Sequence, residues 1–304
     1  MEQKSMTALV SAFARAYHQI NNQERIFNDN VAKLILSDQE YNQISGSMAQ
    51  GINFFNPSFV GTAAEALRWI VDHQLSPTPL GRGIFSEKAL ENSMNLGTEQ
   101  YLILAAGYDT FGYRQPKWGE KLQIFEIDRP VTIQDKQRRL ETAGIQIPNN
   151  VHFVPSDLTK DDWEDDLLRM NVFDQKKISF CSLLGISYYL PKAVFETILN
   201  KLKRLIPKDS AIAFDYPDEN TFTDKAGART KKQLALAGGA NEKMLAGYSY
   251  SELEKLLSDN GFLISEHLLP NEITKRYFEN YNKANPSNII TAFDNVNYCL
   301  AMKK

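Results

Sequence analysis

The sequence predicts an open α/β sheet, mostly parallel, with helices wound between its strands. Three observations carry that prediction. Residues 101–106 form a continuous apolar run, the pattern of a strand buried on both faces. The run ends in a small-residue turn at Gly107, and a second apolar run, 122–127, ends on Asp128 about 20 residues further on. From Gln100 to Asp215, apolar runs alternate with helical stretches, which favours parallel strands joined by crossovers. A strand, a tight turn and a carboxylate ending the next strand are the layout of a nucleoside site. The small turn lets backbone approach the ligand, and the carboxylate accepts from both ribose hydroxyls.

Before the sheet the chain reads as helical. Leu9, Val10, Phe13, Tyr17 and Ile20 recur at helical spacing, so residues 8–20 form an amphipathic helix, with Arg15 read as a solvated surface charge. Residues 23–57 mix short apolar runs with Asn, Gln and Gly and yield no element. Thr62 and Glu65 form a capping box opening a helix through Val71, and Pro77 and Pro79 end that region. A further helix over 86–96 follows Leu80-Gly81-Arg82-Gly83 and is closed by Gly97.

Past the second strand, Pro130 suits the first position of a helix running to about Thr142 and stopping at Gly144. A third strand over 151–154 ends near Asp157, and an acidic helical stretch, 161–170, leads to a fourth strand, 178–183. Pro191 starts a helix through Leu205, and 211–215 is the fifth strand. Residues 221–247 then turn polar and helix-prone, interrupted at Gly238-Gly239, which suggests an inserted lid. Ser251 and Glu254 form a second capping box for a helix ending at Gly261. Strands six (262–269) and seven (296–302) flank a loop-rich excursion containing Pro286. The seventh has no crossover helix beside it and is expected to return antiparallel to the sixth. One Rossmann-like domain follows, with a helical region over 1–97, a ligand-binding core over 98–217, a lid insertion over 218–250 and closing strands within 251–304.

Composition narrows the class. With 304 residues, 43% hydrophobic and 23% charged, the chain is of ordinary globular type. A net charge of −3 gives no reason to expect nucleic acid or an anionic membrane. No apolar run approaches the roughly 18 residues of a membrane span, and the polar start MEQKSMT does not resemble a signal peptide. Cys181 and Cys299 lie in strand-like segments and make neither a disulfide framework nor a zinc site. His18, His73, His152 and His267 show no metal-ligand spacing. A cytoplasmic protein without a metal is expected.

Six stretches, LGRGIFSE (80–87), ILAAGYDTFGYR (103–114), IFEIDRP (124–130), VPSDL (154–158), LLGISYYL (183–190) and AFDYP (213–217), occur in one order along the chain. Together they resemble the leucine carboxyl methyltransferase-like branch of class I S-adenosylmethionine-dependent methyltransferases. Bacterial relatives in that branch are assigned to small-molecule or polyketide O-methylation. The resemblance implies a seven-stranded sheet with S-adenosylmethionine over the ends of strands one to four. It implies that Arg82 meets the methionine carboxylate, that Gly107 turns beneath the methionine end, and that Asp128 binds the ribose hydroxyls. Asp157 and the Leu158 amide would read the adenine. Asp109 is expected to organise the turn.

Two positions depart from the family. Ala105 stands where the first loop often has glycine, adding one methyl to the turn. Leu184 stands where carboxyl methyltransferases of the family carry a glutamate, which argues for a different acceptor on the same cofactor site. Tyr188, Tyr189, Asp215 and Tyr216 fall near strand ends and are candidates for the acceptor wall; no catalytic residue is assigned. The expected function is methyl transfer to an oxygen, carboxylate or hydroxyl, of a small molecule. A nicotinamide-dependent oxidoreductase fits Gly107 and Asp128 alone, but the full G-x-G-x-x-G is missing. A cofactor-binding protein without turnover is the remaining alternative. No nucleic-acid or membrane partner is expected, and a monomer is compatible with the sequence.

Overall fold

The structure, a computed structural model, describes residues 5–239 and 242–304. Residues 1–4 of the expected N-terminal region and 240 and 241 of the expected insertion lie outside the described residues.

The sheet has seven strands: β1 (Gln100–Leu104), β2 (Gln123–Asp128), β3 (Val151–Pro155), β4 (Ser179–Leu183), β5 (Ala211–Pro217), β6 (Phe262–Leu268) and β7 (Val296–Lys303). Their order is β3-β2-β1-β4-β5-β7-β6, and β7 runs antiparallel to both of its neighbours. The expected mixed sheet is therefore present. Chain order reverses between β1 and β4, so a crevice opens at the carboxyl ends of these strands.

The apolar run of β1 follows from its position. Leu102 and Leu104 pack with Trp163, Phe195 and Leu199 on one face. Tyr101 and Ile103 pack with Leu80, Phe85 and Phe278 on the other. Both faces are buried, so no polar alternation survives. A third cluster, including Phe13, Ile35, Leu36, Ile70 and Val71, holds the N-terminal helices together.

Several expectations are corrected. Pro77 and Pro79 do not end a helix. They open one, Pro77–Met94, that contains Arg82, and a π-helical turn, Val71–Leu75, precedes it. Proline is tolerated there because a first-turn N–H has no helical partner. The segment 23–57 contains the helix Asp38–Gln50, opened by a capping box of Ser37 and Glu40. The cap of the helix Tyr250–Asp259 is Ser249, whose hydroxyl accepts from Glu252 N at 3.2 Å, two residues before the expected Ser251. The excursion between β6 and β7 is largely helical over 270–284. The inserted segment carries the helix Ala228–Gly239, and Asp218 pairs with Tyr248, so its two ends meet.

Candidate active site

Every cofactor residue expected from the sequence, Arg82, Ala105, Gly107, Asp128, Asp157, Leu158 and Leu184, lines one cavity of about 690 Å³ at the carboxyl ends of β1 to β4. That volume is in the range of small-molecule sites. After β1, Ala105 takes a φ of 54° and Gly107 one of 47°, a left-handed turn that lines the cavity. Asp128 fixes this turn. Its two carboxylate oxygens accept from Gly107 N and Arg129 N, each at 2.7 Å. Each oxygen keeps a lone pair for a ligand hydroxyl. Asp128 does not cap the next helix; Arg129 occupies the N-cap position, with no side-chain cap.

Asp109 accepts from Phe111 N at 2.8 Å and so organises the turn as expected. Asp157 closes a similar turn, accepting from the backbone and hydroxyl of Thr159 at 2.9 and 2.7 Å through one oxygen. It caps no helix, since the next one is Trp163–Leu168.

The Arg82 guanidinium is held from behind. Nη1 donates to the Tyr188 hydroxyl at 2.8 Å and lies 3.4 Å from Asp215, which also accepts from Tyr188 at 3.0 Å and from Gly185 N at 2.6 Å. Burial alone would lower the arginine's pKa; Tyr188 and Asp215 beside it reverse this and raise it. Among the described residues, Nε and Nη2 of Arg82 have no acceptor, leaving a fixed pair of donors suited to a carboxylate. Gly185 makes this arrangement possible. It has a φ of 74°, and a Cβ there would occupy the space of the Arg82 guanidinium.

Of the expected acceptor wall, Tyr188 and Tyr189 line the cavity, whereas Asp215 and Tyr216 do not. Asp215 is spent behind Arg82, and the Tyr216 hydroxyl bonds to His267 Nε2 at 2.7 Å. Arg15 is not a solvated charge. Its Nε meets the fully buried Asp29 at 2.8 Å, and its Nη2 donates to the Tyr108 carbonyl at 2.6 Å, inside the cofactor turn. Glu242 was not singled out in the sequence either. Its carboxylate accepts from Met6 N and Thr7 N, each at 3.1 Å, joining the inserted segment to the start of the helix Met6–Asn21 over the cavity. No local pattern marks Glu242, whose partners are distant in sequence, or the pairing of Asp29 with the distant side chains of Arg15, Thr110 and Arg114.

The sequence model of the leucine carboxyl methyltransferase family matches residues 8–203. The chain belongs to the leucine carboxyl methyltransferase family. YktD of Bacillus subtilis (strain 168), which carries the name of an S-adenosyl-L-methionine-dependent methyltransferase, is 40% identical over 99% of each chain. The fold is shared with a DUF574 family protein from Streptomyces avermitilis, at a TM-score of 0.60 and 12% identity over 99% of this chain and 98% of that one. It is also shared with a protein of Thermobifida fusca YX named as a methyltransferase, at a TM-score of 0.57 and 12% identity over 99% and 96%. As a member of this family the chain uses S-adenosylmethionine as its cofactor, and its reaction is methyl transfer.

Proposed function

We propose that the protein transfers the methyl group to a carboxylate oxygen of a small molecule. In this reading the free donors of Arg82 take the methionine carboxylate and Asp128 accepts from the ribose hydroxyls. The unused oxygen of Asp157 accepts from the adenine amine, and the Leu158 amide faces the ring. The chemistry supplied by bound S-adenosylmethionine is an electrophilic methyl group open to in-line displacement. A carboxylate acceptor would meet that methyl group with an oxygen already ionised, so no proton would have to be removed and no general base would be needed. The chain's own contribution is to align the acceptor and exclude water.

The observation that carries the reading is the chemistry of the wall. Among the described residues lining the cavity there is no histidine. The three tyrosines there hold their protons: burial pushes Tyr189 up to about 12, burial with Asp215 raises Tyr188 well above its usual range, and burial with Asp135 raises Tyr108. Asp109, Asp128, Asp157 and Glu242 are each engaged by backbone N–H groups. An acceptor already ionised at neutral pH suits such a wall better than a hydroxyl that must lose a proton.

The test is methyl transfer from labelled S-adenosylmethionine to a panel of carboxylic acids and phenols. Products that release label under mild alkali are esters, and stable products are ethers. Ester formation is expected; transfer to phenols alone would sink the proposal. Calorimetry alongside is expected to show S-adenosylhomocysteine binding that Asp128→Ala weakens at least about tenfold, the loss of one well-placed pair of hydrogen bonds to a charged group.

A further inference from the structure

The cavity continues beyond the residues assigned to the cofactor, along the π-helical turn Val71–Leu75 and into the helix Pro77–Met94. Gln74, Thr78 and Arg82 recur every four residues along this stretch, and all three line the cavity. Four helical residues advance about 6 Å, so Thr78 stands about one such step from Arg82 and Gln74 about two. Gln74 and Thr78 are only 9% and 6% exposed. Gln74 Oε1 and Thr78 Oγ1 nevertheless have no hydrogen-bond partner among the described residues. Buried polar atoms are seldom left unpaired, and two on one helical stripe beside a cavity point to a ligand that completes them.

The surroundings restrict that ligand. Met48, Leu75, Leu236 and Met244 supply apolar wall. Among the charged residues of the lining, Arg15, Arg82 and Arg114 are paired with carboxylates, Asp109, Asp128, Asp157 and Glu242 accept from the backbone, and Arg129 and Lys243 have no carboxylate partner among the described residues. Gln and Thr add no charge of their own. A glutamine carbonyl oxygen calls for a hydrogen-bond donor, and a threonine hydroxyl answers either a donor or an acceptor.

We infer that Gln74 and Thr78 recognise the methyl acceptor, taking an uncharged hydroxyl or amide group separated by an apolar segment from the carboxylate that is methylated. This rests on the carboxylate reading above. The acceptor class is thus an amphipathic acid with a neutral hydrogen-bonding group remote from its carboxylate. Both residues act on specificity. Neither takes part in the displacement itself.

The test uses medium-chain straight acids with and without a terminal hydroxyl, assayed for labelled ester with the full chain and with Gln74→Leu, Thr78→Val and Thr78→Ser. The expected result is a kcat/KM preference of at least about tenfold for the hydroxylated acids, because a site built to bind a hydroxyl rejects the analogue lacking it. Gln74→Leu and Thr78→Val are expected to collapse that preference through KM, and Thr78→Ser to retain it. Affinity for S-adenosylhomocysteine and the melting temperature should stay at wild-type values or rise in both apolar variants, since no protein hydrogen bond is lost. Equal transfer to both kinds of acid, or a preference untouched by the substitutions, overturns the inference and leaves the carboxylate reading standing. A lowered melting temperature in both apolar variants assigns the residues a structural role and also overturns it. A protein that binds S-adenosylhomocysteine normally yet esterifies no acid removes the carboxylate reading and this inference with it.

Discussion

Gly185 and Ala105 are the two residues at which backbone conformation bears most directly on the site. At Gly185 a single methyl would displace the Arg82 guanidinium and sit at a φ of 74°, so Gly185→Ala is expected to weaken S-adenosylhomocysteine binding at least about tenfold by calorimetry. Unchanged affinity would mean that Arg82 does not need its present position. Ala105 is the opposite case, an alanine held at a φ of 54° where the family often has glycine. Left-handed backbone costs about 1–2 kcal/mol for a residue with a Cβ. Ala105→Gly should therefore raise stability in urea unfolding, by about 1 kcal/mol less the extra freedom glycine gives the unfolded chain. Asp128 and Arg82 were legible in the sequence because each lies in a motif tied to a strand end or a glycine pair. Arg15 was not. Its partner Asp29 belongs to a stretch without periodicity, and a lone arginine within an amphipathic helix looks like any solvated charge.

The helical elements before the sheet are fastened to the cofactor turn through Asp29. This fully buried carboxylate accepts from Val31 N, Ala32 N, Arg15 and the Thr110 hydroxyl, and it lies 3.5 Å from Arg114, which in turn pairs with Glu87. Despite its burial, Arg15 and Arg114 hold its pKa below the usual carboxylate value. Asp29→Ala leaves two arginines without this partner, and a loss of about 3–5 kcal/mol is expected in denaturant titration, with weaker cofactor binding because the turn loosens. Strands were read more accurately than helix ends. An apolar run buried on both faces identifies itself, whereas Pro77 and Pro79 signal either a stop or a start. Tertiary packing of Leu80 and Phe85 against β1 decides for the start. At Ser249 and Ser251, two serines each precede a glutamate by three residues, and only the register of the helix distinguishes them.

Across the whole molecule, the first helix is locked to the distant segment before β7. His18 is fully buried, accepts from Ile26 N at 3.0 Å and packs its ring against Tyr281, whose hydroxyl donates to Asn22 at 3.1 Å. Burial, helped by Arg25 and Arg68, lowers its pKa from 6.5 to about 4. The unfolded chain therefore takes up this proton first as pH falls. The contribution is complete above pH 6.5 and is lost on the way down to about 4, by roughly 3 kcal/mol. Urea midpoints measured across that window should fall more steeply for the wild type than for His18→Gln, and parallel curves would exclude His18 as the source. The strand order carries a different kind of consequence. β7 lies between β5 and β6, so among the described residues β6 has no other partner strand and β5 keeps one open edge until Val296–Lys303 has been added. A nascent chain that has reached only β6 leaves the ribosome tunnel with unpaired strand edges, the kind of surface that other chains pair with and that chaperones shield. Sheet closure therefore waits until β7 has been made, and a message truncated between the codons for β6 and β7 is expected to yield aggregate in place of enzyme.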